Sequence, residues 1–535
     1  MGNNWVMTKH LVVAISGPIA GGKSALSERL EHRFGGLRLS TRKLLEQDAG
    51  FVGPPTRGLL QKFGTTLDNQ TGGQWVAEKI SSLVTDASPY LVIVDSVRIR
   101  EQIECLRNRY GGEIRHVHVT ASRETRGQRY AQRKRTDGRD HVSFDEALAD
   151  PTERQVDDLA SLADFVIETD RDSPEDVVIR VAARLGLFDL GHASCVDVII
   201  GGAYGSEGKG NIAFHLAPEY DLLVRVGGPN SAHKVYLPSG RIYTHFSLPS
   251  GTLAGKATVA LGPGSLILPS ELQREIEECG LTRERLFIDP QVMVIEESDR
   301  EAENELKLAI SSTGSGTGSS TARRIMRGND VRFARDLPQF QEYIRPTYEL
   351  LEHAYASRQR ILLEGTQGSG LSLHHGQYPY VTSRDTNVAG CLAEAGIAPA
   401  RVRKVILVMR SYPIRVAGNS GPLVKELSWE EIEKRSGLAG LAETEKTSRT
   451  NNLRRVGERE WDLIRRAAFH NAPTDIALTF ADYIDMNNRE AWRFDQLTGE
   501  TIMLIDEMER VTGARVSLIA TGFMAHRGII DRRLW

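Results

Sequence analysis

Two glycine-rich loops in this sequence each carry one lysine at a spacing that suits phosphate binding. The first spans residues 17–24 and fits GxxxxGK(S/T) in full, with Gly17, Gly22, Lys23 and Ser24 at the defining positions. Glycine backbone N–H groups can surround phosphate oxygens, and the following helix start adds positive charge. Lys23 would reach the β- and γ-phosphates and Ser24 would bind Mg²⁺. The alternative is a glycine-rich turn without a ligand, but the position between a buried strand and a helix favours phosphate binding.

The second loop, GGAYGSEGKG at residues 201–210, follows another apolar run. It does not fit the first pattern, but its glycines and lysine indicate a second phosphate cradle. Its candidate nucleotide-binding residues are Gly205, Glu207, Gly208, Lys209 and Gly210. Further motifs follow at 227–233 (GGPNSAH), 245–251 (HFSLPSG), 364–368 (EGTQG) and 378–383 (YPYVTS). A lone histidine such as His233 is usually structural, but the order of these motifs makes it a catalytic candidate.

A carboxylate and an arginine cluster downstream of the first loop predict phosphoryl transfer. Asp95 ends an apolar run, where it could hold the hydration shell of Mg²⁺. Arginines crowd the segment after the next apolar run, at Arg123, Arg126, Arg129, Arg133 and Arg135. Arginines on a lid neutralise a transferring phosphoryl group, although such a run can also be a solvated helix face. We take Asp95, Arg126 and Arg133 as nucleotide-binding candidates.

The elements that position these residues alternate between strands and helices. Apolar, β-branched runs predict strands at residues 11–16, 90–95, 114–120 and 164–168, with helices at 24–34 and 99–110. This alternation predicts an α/β fold with a parallel sheet. The first third of the chain resembles nucleoside-monophosphate and dephospho-coenzyme A kinases through GPIAGGKS, VDSVR (94–98), the arginine cluster and LADFVI (162–167). The resemblance implies a small-molecule phosphotransferase and leaves its acceptor open.

The segment LGLFDLGHAS (185–194) closes a predicted helix, and a new apolar strand follows it. We therefore predict two domains, a P-loop kinase-like domain at 1–192 and a second domain at 193–535. Residues 311–321 (SSTGSGTGSST) have the composition of a flexible linker. Because they lie between two helical segments, a phosphate-binding or mobile catalytic loop is the competing interpretation.

Composition excludes several protein classes. The chain has 535 residues and a formal net charge of −3, which argues against a nucleic-acid polymer as the main partner. The four cysteines show no paired spacing, which argues against a disulfide framework or a cysteine-based zinc site. The apolar runs are strand-sized and the N-terminal residues lack an apolar signal core, so we expect no membrane association and a cytoplasmic location.

The stretch from residue 196 to 535 resembles the adenylosuccinate synthetases through these motifs in this order. The resemblance implies an α/β domain with a central, mostly parallel sheet. It also implies transfer of a γ-phosphate to the 6-oxygen of a purine nucleotide, followed by displacement of phosphate by L-aspartate. The 201–210 loop would hold the donor triphosphate and Mg²⁺, with Lys209 on phosphate. His233 would be the acid that assists phosphoryl transfer, and the implied catalytic set is His233, Ser206, Lys209 and Gln367.

Other family roles carry over by position. Acceptor-nucleotide binding falls on Thr313, Gln367 and Thr382, and Asn230 is a further nucleotide-binding candidate. Arg323 or Arg324 matches an arginine that reaches the neighbouring subunit's nucleotide, which implies a homodimer. The remaining implied assignments are Arg415 near the ribose and aspartate, Asp482 for the donor base, Thr450 and Arg454 for aspartate, and Ser206 and Ala232 for the metal of this domain. Ser24 is the metal candidate of the first loop.

Three departures from the family pattern concern specificity. Ser206 stands where the family's GDEGKG has the aspartate that removes the purine N1 proton, and a serine hydroxyl is too weak an acid to replace it. Asn452 stands near a usual arginine of the aspartate loop. Residues 479–482 keep Asp482 but lack the lysine of the guanine-recognising TKxD, so ATP becomes plausible beside GTP. GSEGKG also resembles the phage aminoadenylosuccinate synthetases, which implies deoxyguanylate or guanylate as acceptor.

Three hypotheses therefore remain. The first is a bifunctional enzyme that ligates aspartate to a purine monophosphate and phosphorylates a nucleotide, with inosinate as the conventional acceptor alternative. The second is a nucleotide-sensing or defence protein whose synthetase site has lost its base. The third keeps the chemistry with another amine donor. The retained Lys209, His233, Gln367, Thr382 and Arg454 favour activity, because a pure binder needs no acid at position 233.

Overall fold

The computed structural model describes residues 10–85, 87–137, 143–149, 151–188, 194–447, 451–522 and 528–533. Contacts within the chain divide it into two units, Met1–Leu190 and Gly191–Trp535, called here the N-terminal and C-terminal units. The predicted boundary between residues 192 and 193 lies outside the described residues, next to this division. Among the described residues, no helix combines the length and the apolar composition needed to cross a membrane.

A five-stranded parallel sheet forms the centre of the N-terminal unit. Its strands are β1 (Leu11–Ser16), β2 (Leu37–Ser40), β3 (Leu91–Asp95), β4 (Ile114–Thr120) and β5 (Phe165–Glu168). Their order is β2-β3-β1-β4-β5, which confirms the predicted α/β class. Four strands were predicted from apolar runs. The fifth, β2, lies at the sheet edge with one buried residue, Leu39, and so carries a weak pattern.

Nine helices of the described N-terminal residues surround this sheet. They are α1 (Lys23–Phe34), α2 (Thr41–Glu46), α3 (Arg57–Thr71), α4 (Gln74–Leu83), α5 (Arg100–Tyr110), α6 (Arg123–Asp137), α7 (Phe144–Leu148), α8 (Pro151–Asp158) and α9 (Pro174–Leu185). Apolar side chains pack in one cluster with α3, α4 and α5, and in another with α1 and α9. The two clusters contain alternate residues of β1, as expected for a strand with both faces covered.

A nine-stranded sheet forms the centre of the C-terminal unit. Its strands are β6 (Val196–Gly201), β7 (Leu222–Arg225), β10 (Thr258–Leu261), β12 (Leu286–Ile288), β14 (Ile361–Glu364), β15 (Val402–Arg410), β19 (Asp475–Thr479), β20 (Arg515–Ala520) and β21 (Ile529–Asp531). The order is β12-β10-β7-β14-β6-β15-β19-β20-β21. All neighbours are parallel except β20 and β21, in agreement with the mostly parallel sheet that the resemblance implies.

Short strands and helices cover this sheet. The strands are β8 (His233–Tyr236), β9 (Ile242–His245), β11 (Leu266–Ile267), β13 (Met293–Val294), β16 (Ile414–Arg415), β17 (Glu426–Leu427) and β18 (Arg455–Gly457). The helices are α10 (Lys209–Leu216), α11 (Pro269–Cys279), α12 (Glu297–Ala302), α13 (Asn304–Ile310), α14 (Thr317–Met326), α15 (Thr347–Ala356), α16 (Val388–Ala395), α17 (Trp429–Ser436), α18 (Leu441–Thr444), α19 (Trp461–Asn471) and α20 (Gly499–Thr512).

The parallel strands bring polar residues to one edge of the large sheet. β6 is buried along its whole length and leads into the second glycine loop. Its neighbours end in Glu364 (β14) and Arg410 (β15), while β7 ends in Arg225 and β19 in Thr479. The carboxyl ends of parallel strands meet at one edge, which is where α/β proteins bind ligands. The fold therefore gathers these residues around the second loop.

Candidate functional site

The first glycine loop connects β1 to α1 in the N-terminal unit. A Cβ on Gly17 would lie 2.0 Å from a backbone oxygen of β4, and Gly22 has a φ of 109°, so both positions favour glycine. Lys23 folds back over the loop, where its ammonium donates to the carbonyl oxygens of Gly17 and, at 2.8 Å, Pro18. Ser24 is exposed in the first turn of α1. The structure thus brings the four P-loop residues together at a helix N-terminus.

Asp95, the predicted magnesium-shell carboxylate, aligns with Ile15 of β1 and already has a cationic partner. Nη2 and Nε of Arg38 donate to its Oδ2 at 2.6 and 3.1 Å. Burial lowers the pKa of Arg38, but Asp95 and Glu28 outweigh it and raise that pKa. A hydrated metal at Asp95 would therefore share the carboxylate with Arg38.

Of the predicted lid arginines, Arg126 has its Nε and Nη1 atoms buried, with no hydrogen-bond partner among the described residues. The side chain of Arg133 lies outside the described part of the structure, so its role stays a prediction. A contact that sequence reasoning missed is made by Glu153 of α8, whose Oε2 accepts the backbone N–H of Ile19 at 3.1 Å. Nothing in the local sequence around Glu153 indicates a partner more than a hundred residues away.

A cavity of about 1190 Å³ lies around the second glycine loop in the C-terminal unit. Most residues that the sequence singled out line it. These are Gly205, Ser206, Gly208, Lys209, Gly210, Asn230, Ala232, His233, Thr313, Gln367, Thr382, Arg415 and Arg454. Residues 311–316 form a loop between α13 and α14 beside the cavity, and 317–321 belong to α14. This segment therefore joins two helices of the site, in agreement with the loop interpretation rather than the linker.

The second loop is held in shape by its own glutamate. The Glu207 carboxylate accepts the backbone N–H groups of Ala203 at 3.1 Å and Gly205 at 2.8 Å. Its other oxygen accepts the Lys209 ammonium at 2.7 Å, and both side chains are buried. Glu207 does not line the cavity, so the structure places this predicted nucleotide-binding residue behind the loop. Ser206, by contrast, is exposed to the cavity with a φ of 55°.

His233 begins β8 and belongs to a buried polar network. Its Nδ1 lies 2.5 Å from Oε1 of Glu364, and its Nε2 lies 3.1 Å from Oγ of Ser231. The second Glu364 oxygen accepts the N–H of Ser250 at 2.7 Å. Burial, with a smaller effect of Arg225, lowers the pKa of His233 to about 4 despite the nearby carboxylate. The imidazole is therefore neutral near pH 7 when no anion is bound.

Several buried polar atoms at the cavity wall have no partner among the described residues. They are the amide oxygen and nitrogen of Gln367, Oδ1 of Asn230 and Oγ of Ser383. The backbone of Gln367, with a φ of 54°, turns this residue at the end of the EGTQG motif. Burying an unpaired polar group costs about 1–3 kcal/mol, so these atoms are suited to a polar ligand.

Arg415 lines the cavity, but its guanidinium already forms hydrogen bonds with nearby residues of the chain. Its Nε and Nη1 donate to the carbonyl oxygens of Pro422 and Ser420 at 3.0 and 2.6 Å. Its Nη2 donates to Gln377 Oε1 at 2.8 Å, and the guanidinium stacks on the Tyr204 ring with 3.6 Å to the centroid. In this arrangement Arg415 fixes the cavity wall.

Two further predicted residues do not line the cavity. Arg323 donates to the Asp299 carboxylate within the same chain, through Nη2 at 2.7 Å and Nε at 3.2 Å. Asp482 is buried and accepts from Nε of Arg489 at 2.9 Å, while burial raises the pKa of its carboxyl. Thr450, predicted to bind aspartate, lies outside the described residues.

A buried ion cluster that sequence reasoning missed borders the cavity near Arg454. Glu445 accepts Nη1 of Arg454 at 3.2 Å, a short bond from Nη2 of Arg410, and the hydroxyl of Tyr483 at 2.7 Å. Nη1 of Arg410 also donates to the carbonyl oxygen of Ser206 at 3.3 Å. Arg410 thus connects the second glycine loop to the residues around Arg454.

The signals for these missed residues differ in strength. Arg410 ends a nine-residue strand whose residues 405–409 are apolar and buried, and a charged residue at the carboxyl end of such a run was a usable signal. Glu364 is the first residue of the EGTQG motif, but its position in that motif did not indicate a role. Glu445 stands in an ordinary polar stretch, and only its burial by distant segments reveals it.

Comparisons with known proteins agree with this geometry. The family model "Adenylosuccinate synthetase" matches residues 198–335 and 331–489. The adenylosuccinate synthetase of Methanocaldococcus jannaschii is 35% identical over 341 residues, which is 62% of this chain and 95% of that protein. The adenylosuccinate synthetase of Thermococcus onnurineus is 35% identical over 344 residues, 63% of this chain and 98% of that protein.

Two solved structures extend the comparison. The cyanophage S-2L succinoaminodeoxyadenylate synthetase, bound to dGMP and to dATP as an energy donor, is 27% identical with a TM-score of 0.55, covering 64% of this chain and 96% of that one. The fully ligated adenylosuccinate synthetase of Plasmodium falciparum is 20% identical with a TM-score of 0.56, covering 63% and 100%, and shows a shared fold. The sequence match over more than half of its length places this chain in the adenylosuccinate synthetase family.

Proposed function

We propose that the C-terminal unit joins L-aspartate to C6 of a purine nucleoside monophosphate, with deoxyguanylate or guanylate preferred over inosinate. The observation that carries this proposal is one cavity lined by Lys209, His233, Gln367, Thr382 and Arg454. The serine at position 206, and the dGMP bound to the cyanophage relative, support a guanine nucleotide as the acceptor. The dATP named for that relative, with the missing lysine before Asp482, supports an adenine triphosphate as donor.

The reaction proceeds in two balanced steps. The purine 6-oxygen attacks the γ-phosphorus of the donor, which forms a phosphorus–oxygen bond and releases a nucleoside diphosphate. The aspartate amine then attacks C6, inorganic phosphate leaves with the 6-oxygen as the carbon–oxygen bond breaks, and the new carbon–nitrogen bond is completed by loss of one amine proton to the departing phosphate or to solvent. The backbone N–H groups of residues 205–210, at the start of α10, and the Lys209 ammonium stabilise charge on the phosphates.

His233 assists the first step from its fixed position on β8. The ionised Glu364 carboxylate next to Nδ1 keeps the ring proton on that nitrogen, so Nε2 is the atom available for proton exchange. A bound polyphosphate offsets the burial that lowers the pKa of His233, because nearby negative charge favours the protonated imidazole. Substrate binding thereby converts a neutral histidine into a proton donor.

Proton removal from N1 of the purine does not use a carboxylate at position 206. The Ser206 hydroxyl can accept a hydrogen bond from the 2-amino group of guanine or donate one to the base. The N1 proton passes to solvent or to a neighbouring group of the cavity.

The oxygen donors at this site fit a Mg²⁺ ion that enters with the triphosphate. Ser206 offers a hydroxyl facing the cavity and Ala232 a backbone carbonyl, both neutral. Among the described residues, no group of three histidine, cysteine, aspartate or glutamate side chains could hold a metal without phosphate. Mg²⁺ retains water and phosphate ligands, so two protein oxygens are a suitable complement. When bound, the ion neutralises charge on the transferred phosphate.

We further propose that the N-terminal unit phosphorylates a nucleotide, with Lys23 and Arg126 on the phosphates and Ser24 on Mg²⁺. The P-loop between β1 and α1 and the unpartnered nitrogens of Arg126 support this proposal. A homodimer is also part of it. Ile325 and Met326, 69% and 79% exposed at the end of α14, support an apolar contact between two copies.

Mass spectrometry of product mixtures tests the ligase proposal. The full-length protein is incubated with each purine monophosphate, with ATP or GTP, and with or without L-aspartate. We expect a succinyl adduct of deoxyguanylate or guanylate that requires aspartate and appears with stoichiometric phosphate release. Phosphate release that is independent of aspartate, without an adduct, would favour the nucleotide sensor. An adduct with another amino acid would identify a different amine donor.

A further inference from the structure

The charged side chains at the cavity end near Arg454 must balance the charge of the aspartate that the proposed reaction binds there. Aspartate attacks through an unprotonated amine, so its reacting form carries two carboxylates and a net charge of −2. Arg454 and Arg410 bring two positive charges to this end, and Glu445 removes one by pairing with both. The arginines alone therefore leave a single uncompensated positive charge for two carboxylates.

Part of the hydrogen-bonding capacity of the two arginines is already used. Arg410 donates to Glu445 and to the Ser206 carbonyl, and it stacks on the Phe480 ring with 3.6 Å to the centroid. Arg454 donates to Glu445 through Nη1. Their Nε atoms are buried without a hydrogen-bond partner among the described residues. A dicarboxylate held here needs an additional cation.

Among the described residues that line the cavity, Lys234 is such an additional cation. It follows His233 on β8 and is exposed, whereas His233, which also lines the cavity, is buried. Within the described part of the chain, its ammonium has no hydrogen bond or ion pair, but it interacts electrostatically with Arg454 and Glu445. Lys234, Arg410 and Arg454 with Glu445 together give a net charge of +2, which matches the reacting dicarboxylate.

We propose that Lys234 binds a carboxylate of the amine donor beside Arg454 and so sets the preference for a dicarboxylic amino acid. This inference rests on the proposed ligase function of the same cavity. Lys234 contacts the substrate through its ammonium, whereas Arg410 and Glu445 act as positioning residues. Asn452 is exposed and lines the same cavity, so a positively charged residue introduced at position 452 can replace the charge of Lys234.

Steady-state kinetics on the full-length protein test this assignment. We expect Lys234→Met to raise the KM for L-aspartate about 10- to 100-fold, the size expected for a lost charge-assisted hydrogen bond, and to leave the KM of both nucleotides within about twofold. Lys234→Arg should keep a KM near that of the wild type. Lys256→Met, an exposed lysine outside the cavity, is the matched control and should change nothing.

A double variant that moves the positive charge from position 234 to position 452 gives a second test. In the double variant Lys234→Met with Asn452→Arg, we expect the aspartate KM to recover by at least a factor of about three, because a cation is restored at another position that lines the same cavity. An unchanged aspartate KM in Lys234→Met would overturn the inference. A rise in the triphosphate KM as large as that for aspartate would also overturn it, because Lys234 would then bind the donor.

A binding readout separates this inference from the ligase proposal. Succinate is a dicarboxylate without an amine, so it can occupy the site but cannot react. We expect succinate to raise the melting temperature of the wild type and of Lys256→Met but not that of Lys234→Met. If the wild type forms no adduct but shows this pattern, the charge assignment holds and the ligase proposal fails. If it forms the adduct while Lys234→Met keeps both its aspartate KM and its succinate response, the assignment alone fails. Absence of any aspartate or succinate effect on the wild type would overturn both.

Discussion

The Nδ1 atom of His233 lies 2.5 Å from Oε1 of Glu364 in the interior of the C-terminal unit. Burial alone would raise the pKa of Glu364, but His233, Arg225 and Ser250 outweigh burial and hold it at about 2. The carboxylate is therefore ionised, and the shared proton resides on the histidine. Since Nδ1 carries that proton, Nε2 can donate only after the ring takes up a second one. We therefore expect His233 to donate a proton only when bound anions favour the protonated ring.

The first prediction concerns the catalytic role of His233. We expect His233→Asn to lower ligation turnover by about 10²–10⁴-fold, the usual contribution of a positioned acid or base. Glu364 keeps its bonds from Ser250 in this variant, so the fold should be retained. The measurement is adduct formation under saturating substrates, beside a thermal melt of the same preparation. Normal turnover together with a large loss of stability would instead make His233 a structural residue.

The second prediction concerns stability against pH. Folded His233 has a pKa of about 4, whereas an unfolded histidine titrates near 6.5, so the unfolded chain binds more protons between these values. The contribution of His233 to the free energy of unfolding is complete above about pH 6.5 and is lost as pH falls to about 4, by about 3 kcal/mol.

Urea unfolding of the wild type and of His233→Asn at pH 7.0 and 4.5 measures this contribution. We expect the wild type to lose more stability than the variant between the two pH values. His116 and His118 of the N-terminal unit also have pKa values lowered to about 4 by burial, but they are common to both proteins and cancel in the comparison. Equal losses in the two proteins would contradict a neutral, buried His233.

The third prediction separates the two phosphate loops. We expect Lys23→Ala to reduce nucleotide kinase turnover of the full-length protein by about 10²–10³-fold, because a positioned cation on the transferred phosphate is lost. Ligation should remain, since Lys23 belongs to the other unit. Lys209→Ala should give the reverse pattern. Assays of both activities on both variants are decisive, and a joint loss in Lys23→Ala would show that the units do not work independently.

The fourth prediction concerns acceptor choice at Ser206. A guanine base carries a 2-amino group beside N1, into space that a carboxylate at this position would crowd. We expect the wild type to prefer deoxyguanylate over guanylate and both over inosinate, and Ser206→Asp to shift the preference toward inosinate. The left-handed backbone at this position tolerates aspartate, so folding should be preserved.

A competition assay with the three monophosphates on both proteins tests this prediction. The deoxy preference follows from the resemblance to the phage enzymes and not from a particular residue. A wild type that chooses inosinate would refute the role of Ser206. An unchanged preference in Ser206→Asp would do so as well.

Local sequence was sufficient for the elements whose signals are local. The strands β1 and β3 are apolar up to their last residue, and β4 and β6 keep β-branched residues around a few polar ones. The P-loop pattern carries its own geometry because glycine conformations and a helix start are encoded within eight residues. Most of the C-terminal residues that the motifs singled out also line the large cavity. Motifs succeed here because each one places its residues on one turn or one strand end.

Tertiary structure alone decided which charges meet. Glu445 gathers Arg410, Arg454 and Tyr483 from segments far apart in the chain, and Lys234 of β8 lines the same cavity. Glu207 carries the signature of a ligand-contacting residue, yet its carboxylate faces the amides of its own loop. Sequence spacing determines which backbone groups can form a loop, but burial and pairing depend on packing between distant segments. The strand order of the parallel sheet sets that packing, and no local pattern encodes it.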